Sequence, residues 1–132
     1  MSGVSLAQVE YFSWLQMSDK VVDKNGNRQQ IEWAYFRGEK RVAHYEIDGF
    51  FELDGKSIGI EFQGCFHHAH TCQNQLNANQ RIQKQRDAKK HDYLKSKMTL
   101  WIIWECEWES QKGKSMKNLK SIIIFEKWIC SL

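Results

Sequence analysis

Apolar residues recur along the chain with two different periods. Leu6, Val9, Phe12 and Leu15 fall at every third position behind Ser5, whose hydroxyl suits the free N–H groups of a first turn, so the pattern predicts a helix from Ser5 to about Met17. A polar stretch from Asp19 to Gln30, centred on Asn25-Gly26, reads as a loop or hairpin turn. Aromatic and β-branched residues then dominate Ile31 to Phe36 and Arg41 to Leu53. Asp54-Gly55 marks a tight turn before Ser57 to Gln63, which makes residues 41–63 an antiparallel hairpin. Helical character returns from about Leu76 to Lys97. There Ile82, Arg86, Lys89 and Tyr93 share one stripe, which is predicted to face the sheet. Leu100 to Trp104 is a continuous apolar run of strand length, expected to be buried on both faces. Ser115 to Ile129 reads as a closing helix, although Ile122 to Phe125 fits a strand equally well. The order of elements predicts an α/β fold, a mixed sheet flanked by helices.

The length, 132 residues with no proline, no repeat and no low-complexity linker, suits one domain spanning 1–132. No apolar run is long enough to span a bilayer, and no basic-then-apolar leader opens the chain. The expectation is an intracellular protein, cytoplasmic or nuclear, without a membrane partner. The net charge of +3 is mild, but its distribution is uneven. From Asn79 to Lys97 there are seven cations (Arg81, Lys84, Arg86, Lys89, Lys90, Lys95, Lys97) and two acids, and the remainder is net acidic. A basic ridge beside an acidic remainder suits a phosphate-backbone binder with a carboxylate metal site; a solvated helix face explains the ridge equally well on charge alone.

Four cysteines in such a compartment point to metal or reduced thiols before disulfides. Cys65, His70 and Cys72 lie within eight residues, and Cys106 follows the apolar run directly. Together they form a Cys3His set, the closed tetrahedral chemistry of structural Zn2+. Cys130 is left over and reads as a packing thiol. A second cluster lies on the hairpin. Asp48 and Glu61 stand thirteen residues apart across the turn, so they can share a face and hold a divalent ion through oxygen.

Ile47-Asp48-Gly49-Phe50, the run Glu61 to Cys72 (Glu-Phe-Gln-Gly-Cys-Phe-His-His-Ala-His-Thr-Cys), Arg86-Asp87 and Trp104-Glu105-Cys106-Glu107-Trp108 occur in this order. In this the chain resembles the very-short-patch repair endonuclease branch of the restriction-endonuclease-like nucleases. It resembles still more the nuclease-type domains attached to DNA polymerases of viruses and self-synthesising transposons. The resemblance spans about Ile31 to Trp108. It implies a restriction-endonuclease-like core with a structural zinc site, Mg2+- or Mn2+-dependent DNA cleavage in repair or mobile-element processing, and a larger polymerase or mobile-element product as one context. It implies that Asp48 and Glu61 bind the catalytic metal, that Cys65, His70, Cys72 and Cys106 bind zinc, and that His68 acts at the active site. Arg86 matches a helical Arg-Asp pair, and Glu39 resembles the acid of an upstream Gly-Glu pair, a possible catalytic group.

Two departures bear on activity. Gln63 stands where the relatives carry His and the wider fold a catalytic Lys, and His67 replaces an aromatic residue. Gln63 can orient water or a phosphate oxygen but cannot become a cation, so a required cation must come from elsewhere. The expected function is a metal-dependent DNA endonuclease with Asp48, Glu61, Gln63 and His68 in the chemistry. Arg81, Lys84, Arg86, Lys89 and Lys90 would hold the DNA backbone. The alternatives are a catalytically weakened DNA-binding module of the same fold and a zinc-stabilised protein-interaction domain.

Overall fold

The computed structural model describes residues 4–65, 70 and 75–117, the side chains of 114–117 excepted. Helix α1 covers Leu6–Met17, with Ser5 accepting a hydrogen bond from the Gln8 N–H as the pattern predicts. A short 3-10 turn, Asp19–Val21, and a loop lead to β1 (Glu32–Trp33), β2 (Lys40–Val42), β3 (Tyr45–Ile47), β4 (Gly49–Leu53) and β5 (Lys56–Gln63). Helix α2 (Ala78–Lys95), β6 (Thr99–Trp104) and α3 (Glu105–Lys117) follow. The sheet runs β1-β4-β5-β6, with β4 and β5 antiparallel and β5 and β6 parallel, so it is a mixed sheet with helices on both faces. No described helix is long and apolar enough to cross a membrane.

The hairpin turn is where Asp54-Gly55 places it, both residues having positive φ, 50° and 81°. The stretch from Arg41 to Leu53 is not one strand, however. Ala43 takes φ 55° and folds Lys40–Ile47 into a separate two-stranded hairpin, β2–β3. The chain then bends at Asp48 before joining the main sheet. Alternation of aromatic and branched residues continues through the break, which hides it. Helix α3, Glu105–Lys117, was not expected, because the polar segment 105–113 buries only Trp108; of the expected helix from Ser115 to Ile129, only 115–117 are described, and they are helical. Residues 118–132, with Cys130 and the Ile122–Phe125 alternative, lie outside the described residues.

Strand β5 is buried along most of its length and carries different chemistry on its two faces. Ile58, Ile60 and Phe62 point to one face and join Val9, Tyr11, Phe12, Leu15, Phe51 and Trp108 in the core. Rings lock this layer: Tyr11 meets Phe62 at 5.6 Å and Trp108 at 5.5 Å, and Phe12 stacks on Trp33 at 5.0 Å. Gly59, Glu61 and Gln63 point to the opposite face, towards α2. On β6 the same alternation puts Trp101 and Ile103 against the core. Trp101, Ile102 and Ile103 are only half-buried, so β6 is not enclosed on both faces as its apolar run predicts; among the described residues it pairs with β5 alone.

Gly49 explains why a glycine follows Asp48. A Cβ built there would lie 2.4 Å from Cε1 and 2.8 Å from Cζ of the buried Phe12 ring. Gly49→Ala is expected to destabilise the fold by about 1–3 kcal/mol through overpacking, read as a lower urea midpoint at unchanged slope.

Candidate active site and metal centre

Asp48 and Glu61 are brought together by strand register. Gly49 pairs with Ile60 across β4–β5, so the next opposed pair is Asp48 and Glu61, at the point where the chain leaves the ladder. Side chains take over from the ladder there. The Phe62 N–H donates to Asp48 Oδ2 at 2.9 Å, and the Asp48 N–H donates to Glu61 Oε2 at 3.4 Å. The two carboxyls also touch each other. Burial, the Glu61 charge and the hydrogen bond to Glu61 hold the Asp48 carboxyl well above the usual carboxylate range.

Helix α2 begins with a capping box of Asn77 and Gln80 and lies over this polar face. Its inward side is Gln80, Gln83, Asp87, Lys90, His91 and Leu94. The predicted inward stripe of Ile82, Arg86, Lys89 and Tyr93 is instead exposed, with Ile82 at 48% and Tyr93 at 37%. Leu94, fully buried, sets the rotation. It turns Lys90 and His91, one turn earlier, onto the site. The Lys90 ammonium meets Glu61 Oε1 in an ion pair whose carboxylate side chain is 2% exposed. Gln63 Nε2 lies 3.0 Å from His91 Nε2. Burial holds the His91 imidazole below its ordinary range, against the opposing pull of Glu61 and Asp87.

The cation beside Glu61 is Lys90, which the sequence reading placed among the backbone-binding residues. Arg81, Lys84, Arg86 and Lys89 are all exposed on the outer side of α2. Glu39 also belongs to this neighbourhood. It follows two left-handed residues, Arg37 and Gly38. Burial, a hydrogen bond to Glu46, and the charges of Glu46 and Glu61 raise its carboxyl above the usual range, while Lys90 opposes them. Glu46 is tied in turn to Arg41. The acidic side of the site thus includes Glu39, Asp48 and Glu61, with Lys90 as their close counter-charge.

The cysteine and histidine cluster sits at the same sheet end. Gln63 and Trp104 form the last pair of the parallel strands β5 and β6, so Cys65 and Cys106 each lie two residues beyond adjacent strand ends. The His70 N–H donates to the Cys65 carbonyl at 3.0 Å. His70 Nδ1 stands 3.8 Å from Cys65 Sγ and 3.4 Å from Cys106 Sγ, and its ring stacks on Trp104 at 4.1 Å. All three donor atoms lie within 4.8 Å of one another, a spacing at which they could hold a metal ion. His67, His68 and Cys72 lie outside the described residues.

His91 and Glu46 were missed by sequence reasoning, and Lys90 was given a contact with the DNA backbone and not one with Glu61. The available signal was Leu94: choosing it over Ile82 as the buried aliphatic residue gives the observed helix rotation.

Two measurements probe the buried charges. Lys90→Met is expected to cost roughly 3 kcal/mol by leaving the Glu61 carboxylate without its counter-charge, and adding Glu61→Gln should recover most of that loss in urea titrations. For Asp48, the folded state holds the proton more tightly than the unfolded state. Its stabilising contribution is complete below the unfolded pKa of about 3.9 and lost as pH rises through the folded value. Asp48→Asn keeps an acceptor for Phe62. In buffer without Mg2+ or Mn2+, the parent should therefore lose stability relative to this variant between pH 4 and 8. No protein-family model, curated protein or solved structure matches this chain.

Proposed function

We propose that the chain is a Mg2+- or Mn2+-dependent DNA endonuclease with a restriction-endonuclease-like core, in which zinc serves structure only. The observation that carries this reading is the contact between Asp48 and Glu61 on adjacent strands, with Lys90 against Glu61. Two carboxyls that share one place at neutral pH are relieved by a cation, and an all-oxygen donor pair suits a hard one. A bound Mg2+ or Mn2+ would polarise the scissile phosphodiester and lower the pKa of the attacking water.

The chain's own groups divide the remaining work. Asp48 and Glu61 hold the cation. Lys90 pairs with Glu61 and supplies positive charge where phosphate charge develops, the part a lysine at position 63 would play. Gln63 orients oxygen ligands, and His68 retains the proton-transfer role that the resemblance implies. Glu39 adds negative field beside Glu61. The exposed Arg81, Lys84, Arg86 and Lys89 supply phosphate contacts to the DNA strand.

Cys65, His70 and Cys106 offer two sulfurs and an imidazole, a donor set that suits zinc, and Cys72 would complete the tetrahedron. The ion would join the ends of β5 and β6 beside the carboxylates.

Purified protein should nick supercoiled DNA only when Mg2+ or Mn2+ is supplied. Asp48→Ala and Glu61→Ala should abolish nicking, and Lys90→Gln should slow it by about 10²–10³. DNA binding without nicking in the parent would instead favour the catalytically weakened module, and neither binding nor nicking the interaction domain. Elemental analysis should find one zinc per chain, lost in Cys106→Ser together with thermal stability. Full zinc retention in that variant would contradict the ligand set.

A further inference from the structure

The polar face of β5 contains one buried group whose capacity the fold leaves unused. Gln63 is 2% exposed, and its Oε1 has no hydrogen-bond partner among the described residues. A buried amide oxygen in that condition has given up its hydrogen bonds to water without replacement. Its other end is engaged, since Nε2 lies 3.0 Å from His91 Nε2. An amide nitrogen only donates, so the ring nitrogen accepts and the neutral imidazole carries its hydrogen on Nδ1. A ring with its hydrogen on Nδ1 holds the amide by its nitrogen and leaves the oxygen for the other side. Gln63 stands two residues after Glu61 on one strand and therefore shares its face.

We propose that Gln63, its amide orientation fixed by His91, supplies Oε1 as a third oxygen ligand to the divalent cation of Asp48 and Glu61. The inference rests on the nuclease reading of that site and goes further by assigning a ligand and a positioning residue. Gln63 is a neutral ligand, which suits the position. A third anion beside Asp48 and Glu61 would need further positive charge, whereas an amide oxygen completes the donor set without it. His91 plays the part of an outer partner that orients a ligand, at the site that the sequence reading gave to His68 alone.

Mn2+ binding to the full-length, zinc-loaded chain tests the proposal without reference to activity, by following the resonance signal of free Mn2+. His91→Ala should weaken binding about tenfold, as loss of an orienting partner does, and Gln63→Met at least as much. Gln63→Glu presents oxygen from either end, so it should bind at least as tightly as the parent and make His91→Ala nearly silent when the two are combined. Parent-like affinity in Gln63→Met, or an undiminished His91→Ala effect in the Gln63→Glu background, would overturn the proposal. The underlying reading fails separately, if the parent binds no Mn2+ or if Asp48→Asn binds it as the parent does. Zinc content and far-ultraviolet circular dichroism, measured on each variant, separate loss of a ligand from loss of the fold.

Discussion

A carboxylate buried in the middle of a sheet constrains everything around it. Glu61 lies on β5 with its side chain 2% exposed, between strands on either side and beneath α2. Such a group persists only when paired, and the pairing fixes neighbours in place. Lys90 approaches from α2, in the rotation that burial of Leu94 sets. Asp48 must approach from the start of β4, which requires the chain to bend just before Gly49, where Phe12 leaves no room for a side chain. Among the described residues the acids still exceed the close cation, Lys90, since Glu39 and Asp48 both feel the Glu61 charge. A protein that keeps this imbalance gives up stability at the place where a divalent cation would restore it.

Stability and chemistry are divided between the two faces of the sheet. The face towards α1 and α3 is aromatic and aliphatic, with Tyr11, Phe12, Trp33 and Trp108 in mutual contact, so most of the burial that holds the fold is there. The buried ion pair, Lys90 with Glu61, is on the α2 side; Lys112 pairs with Glu10 between α3 and α1 at the surface of the other. Because β5 belongs to both, a polar substitution at Ile60 would be a folding defect, whereas one at Glu61 would be felt first at the site. The Cys65, His70 and Cys106 cluster lies just past the same strand end, two residues beyond Gln63 and Trp104. A metal held there would fix the ends of β5 and β6 relative to each other, and with them the position of Gln63.

What was legible in the sequence followed from short-range rules. Ser5 marks the start of α1, Asp54-Gly55 fixes the hairpin, and a register counted from that turn opposes Asp48 to Glu61. Counting from the apolar run placed Cys106 near Cys65 in the same way. Long-range or weakly patterned features were not legible. Alpha-region glycines and prolines announce many turns, but the left-handed turn at Ala43 has neither, so β2–β3 was read as part of one strand. Helix α2 has one fully buried aliphatic residue, Leu94, and its competing stripe contains Ile82 and Tyr93, so hydrophobicity gave the wrong rotation. That error hid His91 and gave Lys90 an outward role, whereas the two residues face Gln63 and Glu61. An inward helix face built from Gln, Asp, Lys and His breaks the amphipathic rule because it covers charges and not a core.

In the proposed function, Asp48 and Glu61 together hold a divalent cation whose site is completed on the α2 side. Anomalous diffraction from a Mn2+-soaked crystal of the zinc-loaded protein tests this directly. The predicted result is a Mn2+ peak bridging the Asp48 and Glu61 carboxylates, with Lys90 still against Glu61 and a Gln63 oxygen turned to the ion. A crystal at neutral pH that takes up Mn2+ elsewhere, while Asp48 and Glu61 remain in direct contact with no peak between them, would contradict it.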